Sequence, residues 1–172
     1  FDLIPDKEYL WLTTGDGLYR YTVPSGKMEQ IKEALPPHPW SVFMDRSGRY
    51  WLPCYKALLL LDPLELSYKP FPNRPDNPKK ITNQHIRTML EDGAGNIWIR
   101  SLEGIYCYNQ ALELKYFLEH SHSYPESYGN QEMTKEMFMD NSGAIWFFSP
   151  EGINQIRNVK RNFKICTPDT MA

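Results

Sequence analysis

The segment Asp92-Gly93-Ala94-Gly95-Asn96-Ile97-Trp98, completed six residues on by Gly104-Ile105-Tyr106, recurs along the chain and organises all of it. Its first half returns as Asp45-x-x-Gly48-x-x-Trp51 and Asp140-x-x-Gly143-x-x-Trp146, and its second half as Gly17-Leu18 and Gly152-Ile153. Tryptophans 11, 51, 98 and 146 therefore mark four copies, spaced by 40, 47 and 48 residues. Each part of the repeat has a physical reason. The apolar stretch before the Asp, as in Val42-Phe43-Met44 or Met137-Phe138-Met139, reads as a buried strand. Asp-x-x-Gly closes a tight turn, the Asp side chain accepting from backbone amides and the Gly taking a positive φ. The tryptophan follows in a second strand, where a large ring can fill the gap between neighbouring sheets.

A turn ending in Gly then leads to a third strand, such as Ile105-Tyr106-Cys107-Tyr108, and a last turn such as Pro24-Ser25-Gly26-Lys27 leads to a fourth. Leu114-Lys115-Tyr116-Phe117 and Phe163-Lys164-Ile165 are fourth strands. Four short strands in roughly 40–50 residues is the period of a β-propeller blade. Pro and Gly punctuate the chain too often for helical repeats of that length. The expected fold is all-β: about four four-stranded antiparallel β-propeller blades, at 1–35, 36–72, 81–118 and 130–166. Residues 1–6 are expected to supply the inner strand of the first blade, although the turn that follows lacks the Gly. The second copy departs too, with Ala57 in place of the Gly.

Composition agrees and removes several functions. The chain has 172 residues, 14% of them aromatic, with 14 Pro and 10 Gly, which suits short strands and many turns. With 19 Lys+Arg against 21 Asp+Glu the formal net charge is −2, and no basic cluster offers a nucleic-acid surface. The longest aliphatic run, Ala57 to Leu61, is far short of the ~20 apolar residues of a membrane helix, so no membrane contact by this segment is expected. Cys54, Cys107 and Cys166 are too widely spaced for a zinc or redox motif. One carboxylate per turn is too few for calcium, and His120-Ser121-His122 lacks a third ligand, so no metal and no cofactor is expected.

Asp-x-x-Gly-x-x-Trp with Gly-[Leu/Ile]-Tyr downstream resembles the two-component regulator propeller repeat. Asp76-Asn77-Pro78-Lys79-Lys80-Ile81-Thr82-Asn83-Gln84-His85-Ile86 is similar to the linker which that family places before a new inner strand. The resemblance implies a periplasmic, non-catalytic sensor segment of a hybrid two-component system, signalling to a histidine kinase encoded elsewhere in a homodimeric parent. It further implies an oligosaccharide ligand, and neighbouring blades and domains of the same parent as partners. Family propellers have seven blades, so the resemblance implies that residues 1–172 form a single partial propeller, a piece of a larger ring, whose first and last sheets are expected to expose apolar faces. The rival readings are a glycan-active propeller enzyme, a lyase or glycosidase, and a protein-interaction scaffold. No catalytic motif supports the enzyme. Sialidase Asp-boxes separate Asp from Gly by one residue where this repeat has two, and no nucleophile elbow occurs.

In a propeller, the connectors entering each inner strand and the loops between second and third strands share one face. Here these are 35–40, 72–84 and 119–131, with the short loops at Gly15-Asp16, Tyr55-Lys56, Leu102-Glu103 and Pro150-Glu151. The candidate ligand-binding residues on that face are Trp40, Tyr55, Arg74, Glu103 and Tyr124. The three rings would stack on sugars, and the two charged groups would fix orientation through hydrogen bonds. Trp40 stands outside the repeat position and has a plainer reading as the start of an inner strand.

Overall fold

A computed structural model describes residues 2–31, 39–54, 57–72, 81, 86, 88–101, 103–119, 137–149, 152–159 and 162–166. They form sixteen strands and no helix, in four sheets that each follow chain order. The first holds β1 (Asp2–Asp6), β2 (Tyr9–Thr14), β3 (Gly17–Thr22) and β4 (Lys27–Gln30); the second β5 (Phe43–Met44), β6 (Tyr50–Cys54), β7 (Ala57–Asp62) and β8 (Ser67–Pro70). The third holds β9 (Thr88–Glu91), β10 (Ile97–Arg100), β11 (Gly104–Tyr108) and β12 (Leu114–Glu119); the fourth β13 (Met137–Met139), β14 (Ile145–Ser149), β15 (Gly152–Val159) and β16 (Asn162–Cys166). Every pairing is antiparallel, as hairpin connections require.

The tryptophans occupy one register position. Trp11 pairs with Ile4 and Arg20, Trp51 with Phe43 and Leu60, Trp98 with Leu90 and Cys107, and Trp146 with Phe138 and Gln155. Residues 2–6 do supply the first inner strand. Ala57 pairs with Cys54 at the start of β7 as Gly17 pairs with Thr14 at the start of β3, so the second copy keeps the register despite its substitution.

Side chains alternate between the two faces of a strand, so every sheet has a face carrying the tryptophan and an opposite one. Three cores result, each a tryptophan face closed by the opposite face of the next sheet. Trp11 and Leu18 meet Leu52, Leu59 and Leu61. Trp51, Leu58 and Phe71 meet Ile97, Ile99, Tyr106 and Tyr108. Trp98, Ile105 and Cys107 meet Ile145, Phe147 and Ile156. Edge-on and tilted ring contacts reinforce the middle core, with Phe71 5.5 Å from Trp51 and 5.3 Å from Tyr108. Cys54 and Cys107 are free and buried in these cores, and burial pushes both thiols up to about 12. Such thiols stay protonated and act as small apolar fillers.

The end sheets differ from the inner ones. Phe138, Phe148 and Ile153 on the fourth sheet are 58%, 44% and 46% exposed. Leu10, Leu12, Tyr19 and Tyr21 on the first are only half-buried.

Candidate functional site

Each sheet has a turn end, where the Asp-x-x-Gly hairpins lie, and a connector end. At the turn end the carboxylates are fully committed. Asp92 Oδ1 accepts from the Ala94 and Asn96 amides at 2.9 Å, while Oδ2 accepts from the Asn96 side chain at 2.8 Å and the Trp98 indole at 2.9 Å. Asp140 binds the Ser142 and Ala144 amides and the Trp146 indole in the same way. Asp45 accepts from the Arg49 amide, the Arg49 guanidinium and the Trp51 indole. The glycines close the loops: Gly48, Gly95 and Gly143 have φ of 79°, 78° and 81°, and a Cβ on Gly95 would sit 2.3 Å from Gln110 Nε2.

These bonds set the charges. Burial pushes the Asp92 carboxyl up, but the bonds from Asn96, Trp98 and the backbone outweigh it and hold it below the usual range. Hydrogen bonds from Ser142 and Trp146 bring Asp140 down to about 2. Carboxylates held as multiple acceptors within their own turns are structural groups. Among the described residues no three His, Cys, Asp or Glu side chains are grouped to hold a metal ion. A cleft of about 440 Å³ at this end is lined by Arg49, Tyr50, Asp62, Ser67, Tyr68 and Lys69. Three of its polar groups are drawn into the fold, Arg49 by Asp45, Tyr50 by Asp6, and Asp62 by the Leu64 and Glu65 amides.

The connector end is built differently. Trp40 precedes β5, its amide donating to the Pro53 carbonyl at 2.9 Å and its own carbonyl accepting from Thr13 Oγ1 at 3.3 Å. It is thereby fixed at the seam between the first and second sheets, with its side chain half-buried. Glu103 stands in the loop between β10 and β11, and its Oε2 accepts from the Tyr106 hydroxyl at 2.8 Å. Ser101 holds that loop, accepting from the Glu103 amide and donating to the Gly104 carbonyl. Trp40 and Glu103 thus lie at the same end of different sheets, each anchored by its own seam or loop. Tyr55, Arg74, Tyr124 and the histidine pair 120 and 122 lie outside the described residues.

Sequence reasoning passes over Arg100. It ends β10 at the connector end, is 1% exposed, donates to the Phe148 carbonyl of the fourth sheet and sits 5.4 Å from the Phe147 ring centre. A buried guanidinium clamping two sheets needs fixed partners. One signal was available: a cation closing the otherwise apolar run Ile97-Trp98-Ile99.

No family model matches the chain, and no curated protein does. Solved structures do. Over 99% of its length the chain is similar to the extracellular domain of the hybrid two-component system BT4673 from B. thetaiotaomicron, at 17% identity and a TM-score of 0.69. It matches the corresponding domain of BT3049 from the same organism over 93% of its length, at 19% identity and a TM-score of 0.61. The four sheets are propeller blades. A catalytically inactive virginiamycin B lyase from Staphylococcus aureus shares the blade architecture at 12% identity and a TM-score of 0.64 over 96% of the chain. The chain spans 22% and 20% of the two sensor domains' lengths and 54% of the lyase, so its blades correspond to part of each.

Proposed function

We propose that these blades belong to the extracytoplasmic, non-catalytic sensor region of a hybrid two-component receptor. In this reading an oligosaccharide meets the connector end, and the signal passes to a histidine kinase elsewhere in a homodimeric, inner-membrane parent whose sensor half is periplasmic. The observation that carries the reading is the contrast between the two blade ends. At the turn end the recurrent carboxylates are consumed by their own hairpins, whereas the connector end carries an aromatic at a blade seam, Trp40, and a carboxylate in a loop, Glu103, which keeps one oxygen beyond its bond from Tyr106. Rings beside planar hydrogen-bonding groups suit sugar recognition. The likeness to two sensor extracellular domains supports the same assignment. Tyr55, Arg74 and Tyr124 complete the proposed binding set. Binding transmits a signal only where affinity differs between two receptor arrangements.

Calorimetry of the chain against a panel of polysaccharide-derived oligosaccharides, with product analysis of the same mixtures, tests this. Binding without turnover is expected, weakened about tenfold or more by Trp40→Ala and by Arg74→Ala, the loss of roughly 1.4 kcal/mol. Turnover would replace the sensor by an enzyme. Absence of both binding and turnover would leave an interaction scaffold.

A further inference from the structure

At the seam between the first and second blades, one hairpin buries an acceptor and a donor that the fold leaves unsatisfied. Asp6 is 5% exposed and its Oδ1 has no hydrogen-bond partner, and Trp11 is fully buried with its indole N–H equally unpaired. The other carboxylate oxygen is taken, accepting from the Tyr50 hydroxyl of the second blade. Buried polar groups of folded proteins are paired, in the great majority of cases, with other protein groups or with ordered water. One acceptor and one donor left over in the same hairpin call for a common partner.

Strand register sets the gap such a partner must span. Ile4 stands opposite Trp11 and Asp6 opposite Tyr9, so Asp6 and Trp11 are diagonal neighbours on one face of the β1–β2 pair. Backbones in that relation are about 7–8 Å apart, within reach of long side chains. In the other three blades the same diagonal is closed directly, Asp45 to Trp51 at 2.9 Å, Asp92 to Trp98 at 2.9 Å and Asp140 to Trp146 at 2.7 Å. In the first blade the carboxylate is drawn toward Tyr50 instead. A group that fills the gap must donate to a carboxylate oxygen and accept from an indole N–H. A cation cannot accept, and an anion is repelled by Asp6. Water is the smallest group that does both.

Solvent lies close by. Tyr50 and Pro63 line the cleft of about 440 Å³ at the turn end. Tyr50 holds Asp6, and its ring centre is 5.8 Å from that of Trp11. The Pro63 carbonyl accepts from Arg20, which pairs with Trp11.

We propose that a single buried water molecule bridges Asp6 Oδ1 and Trp11 Nε1. It donates one hydrogen to the carboxylate and accepts from the indole. The result is a hydrogen-bonded chain from Tyr50 through Asp6 to Trp11 that ties the second blade to the first. The site is independent of what the connector end binds.

A crystal structure at a resolution that shows ordered water tests this. The expected result is one water within about 2.7–3.2 Å of both atoms, with no such bridge between Asp45 and Trp51. In solution, the Trp11 indole proton should show a dipolar cross-peak to water, of opposite sign in NOE and ROE spectra, that Trp51 lacks. One Gly inserted after Glu8 lets Asp6 reach Trp11 directly and should abolish that cross-peak. Should the insertion cost the chain its β-sheet circular dichroism, the comparison of Trp11 with Trp51 in the wild type decides alone. A direct bond between Asp6 and Trp11, a gap between them without water, or a Trp11 proton with no dipolar cross-peak overturns the proposal. So does a cross-peak that persists in the folded insertion variant.

Discussion

In the β1–β2 hairpin, Asp6 reaches out of its blade to accept from the Tyr50 hydroxyl, and the Trp11 indole N–H is buried without a partner. In the three later hairpins the Asp at the same register position turns inward and takes the indole of its own blade. Asp6 faces Tyr9 directly across a two-residue turn in which Lys7 takes a φ of 43°. Asp45 is bonded to Arg49 across three residues that include Gly48. One missing residue swings the carboxylate away from the tryptophan, and Tyr50 of the next blade uses it instead. The lesson is that the Asp–Trp link depends on turn length as much as on the presence of its two side chains.

The largest difference should appear on deleting the carboxylates. Asp45→Ala strips a partly buried guanidinium and a buried indole of their acceptor and should cost about 2–3 kcal/mol in denaturant unfolding. Asp6→Ala removes one bond to a partly buried hydroxyl and should cost about 1 kcal/mol. Equal losses would erase the distinction. Next come the rings. Trp98→Phe and Trp11→Phe remove the same atoms, but only Trp98 loses a bond to a carboxylate, so it should be more costly by about 1–2 kcal/mol. Smaller still is a repair: one Gly inserted after Glu8 recreates Asp-x-x-Gly-x-x-Trp. It should raise stability by about 1 kcal/mol and make Tyr50→Phe close to neutral, as Asp6 returns to Trp11.

Acid and base should separate the two designs at lower amplitude. Asp92 and Asp140 titrate below their unfolded values, so the stability they add is complete above about pH 4. It is lost as pH falls toward the Asp140 value of about 2. Burial, then the bond to Asp6, pushes the Tyr50 hydroxyl up, so its contribution is complete below about pH 10 and lost only at higher pH. Denaturant midpoints measured across pH in wild type and Tyr50→Phe check both signs, the variant losing the alkaline limb alone.

Much of the fold was legible because tryptophan, aspartate and glycine recur at fixed offsets, and each has a local reason to stand where it does. Alignment on Trp11 nonetheless puts Pro5 at the aspartate position, while strand register puts Asp6 there. A one-residue deletion in a turn is invisible to fixed spacing. At the connector end, loop position picked out Trp40 and Glu103, but their anchors were not legible. Trp40 is fixed by Pro53 and Thr13, and Arg100 by a carbonyl in the next blade. Backbone acceptors on neighbouring strands leave no side-chain signature.

The division between a structural turn end and a ligand-facing connector end is tested most directly by the indole N–H resonances of the five tryptophans. They would be followed by NMR while the oligosaccharide panel is titrated in. The account predicts that the Trp40 signal moves with ligand while Trp51 and Trp98, bonded to their aspartates, stay in place. Movement of Trp51 and Trp98 with a stationary Trp40 would place the ligand at the turn end and contradict it.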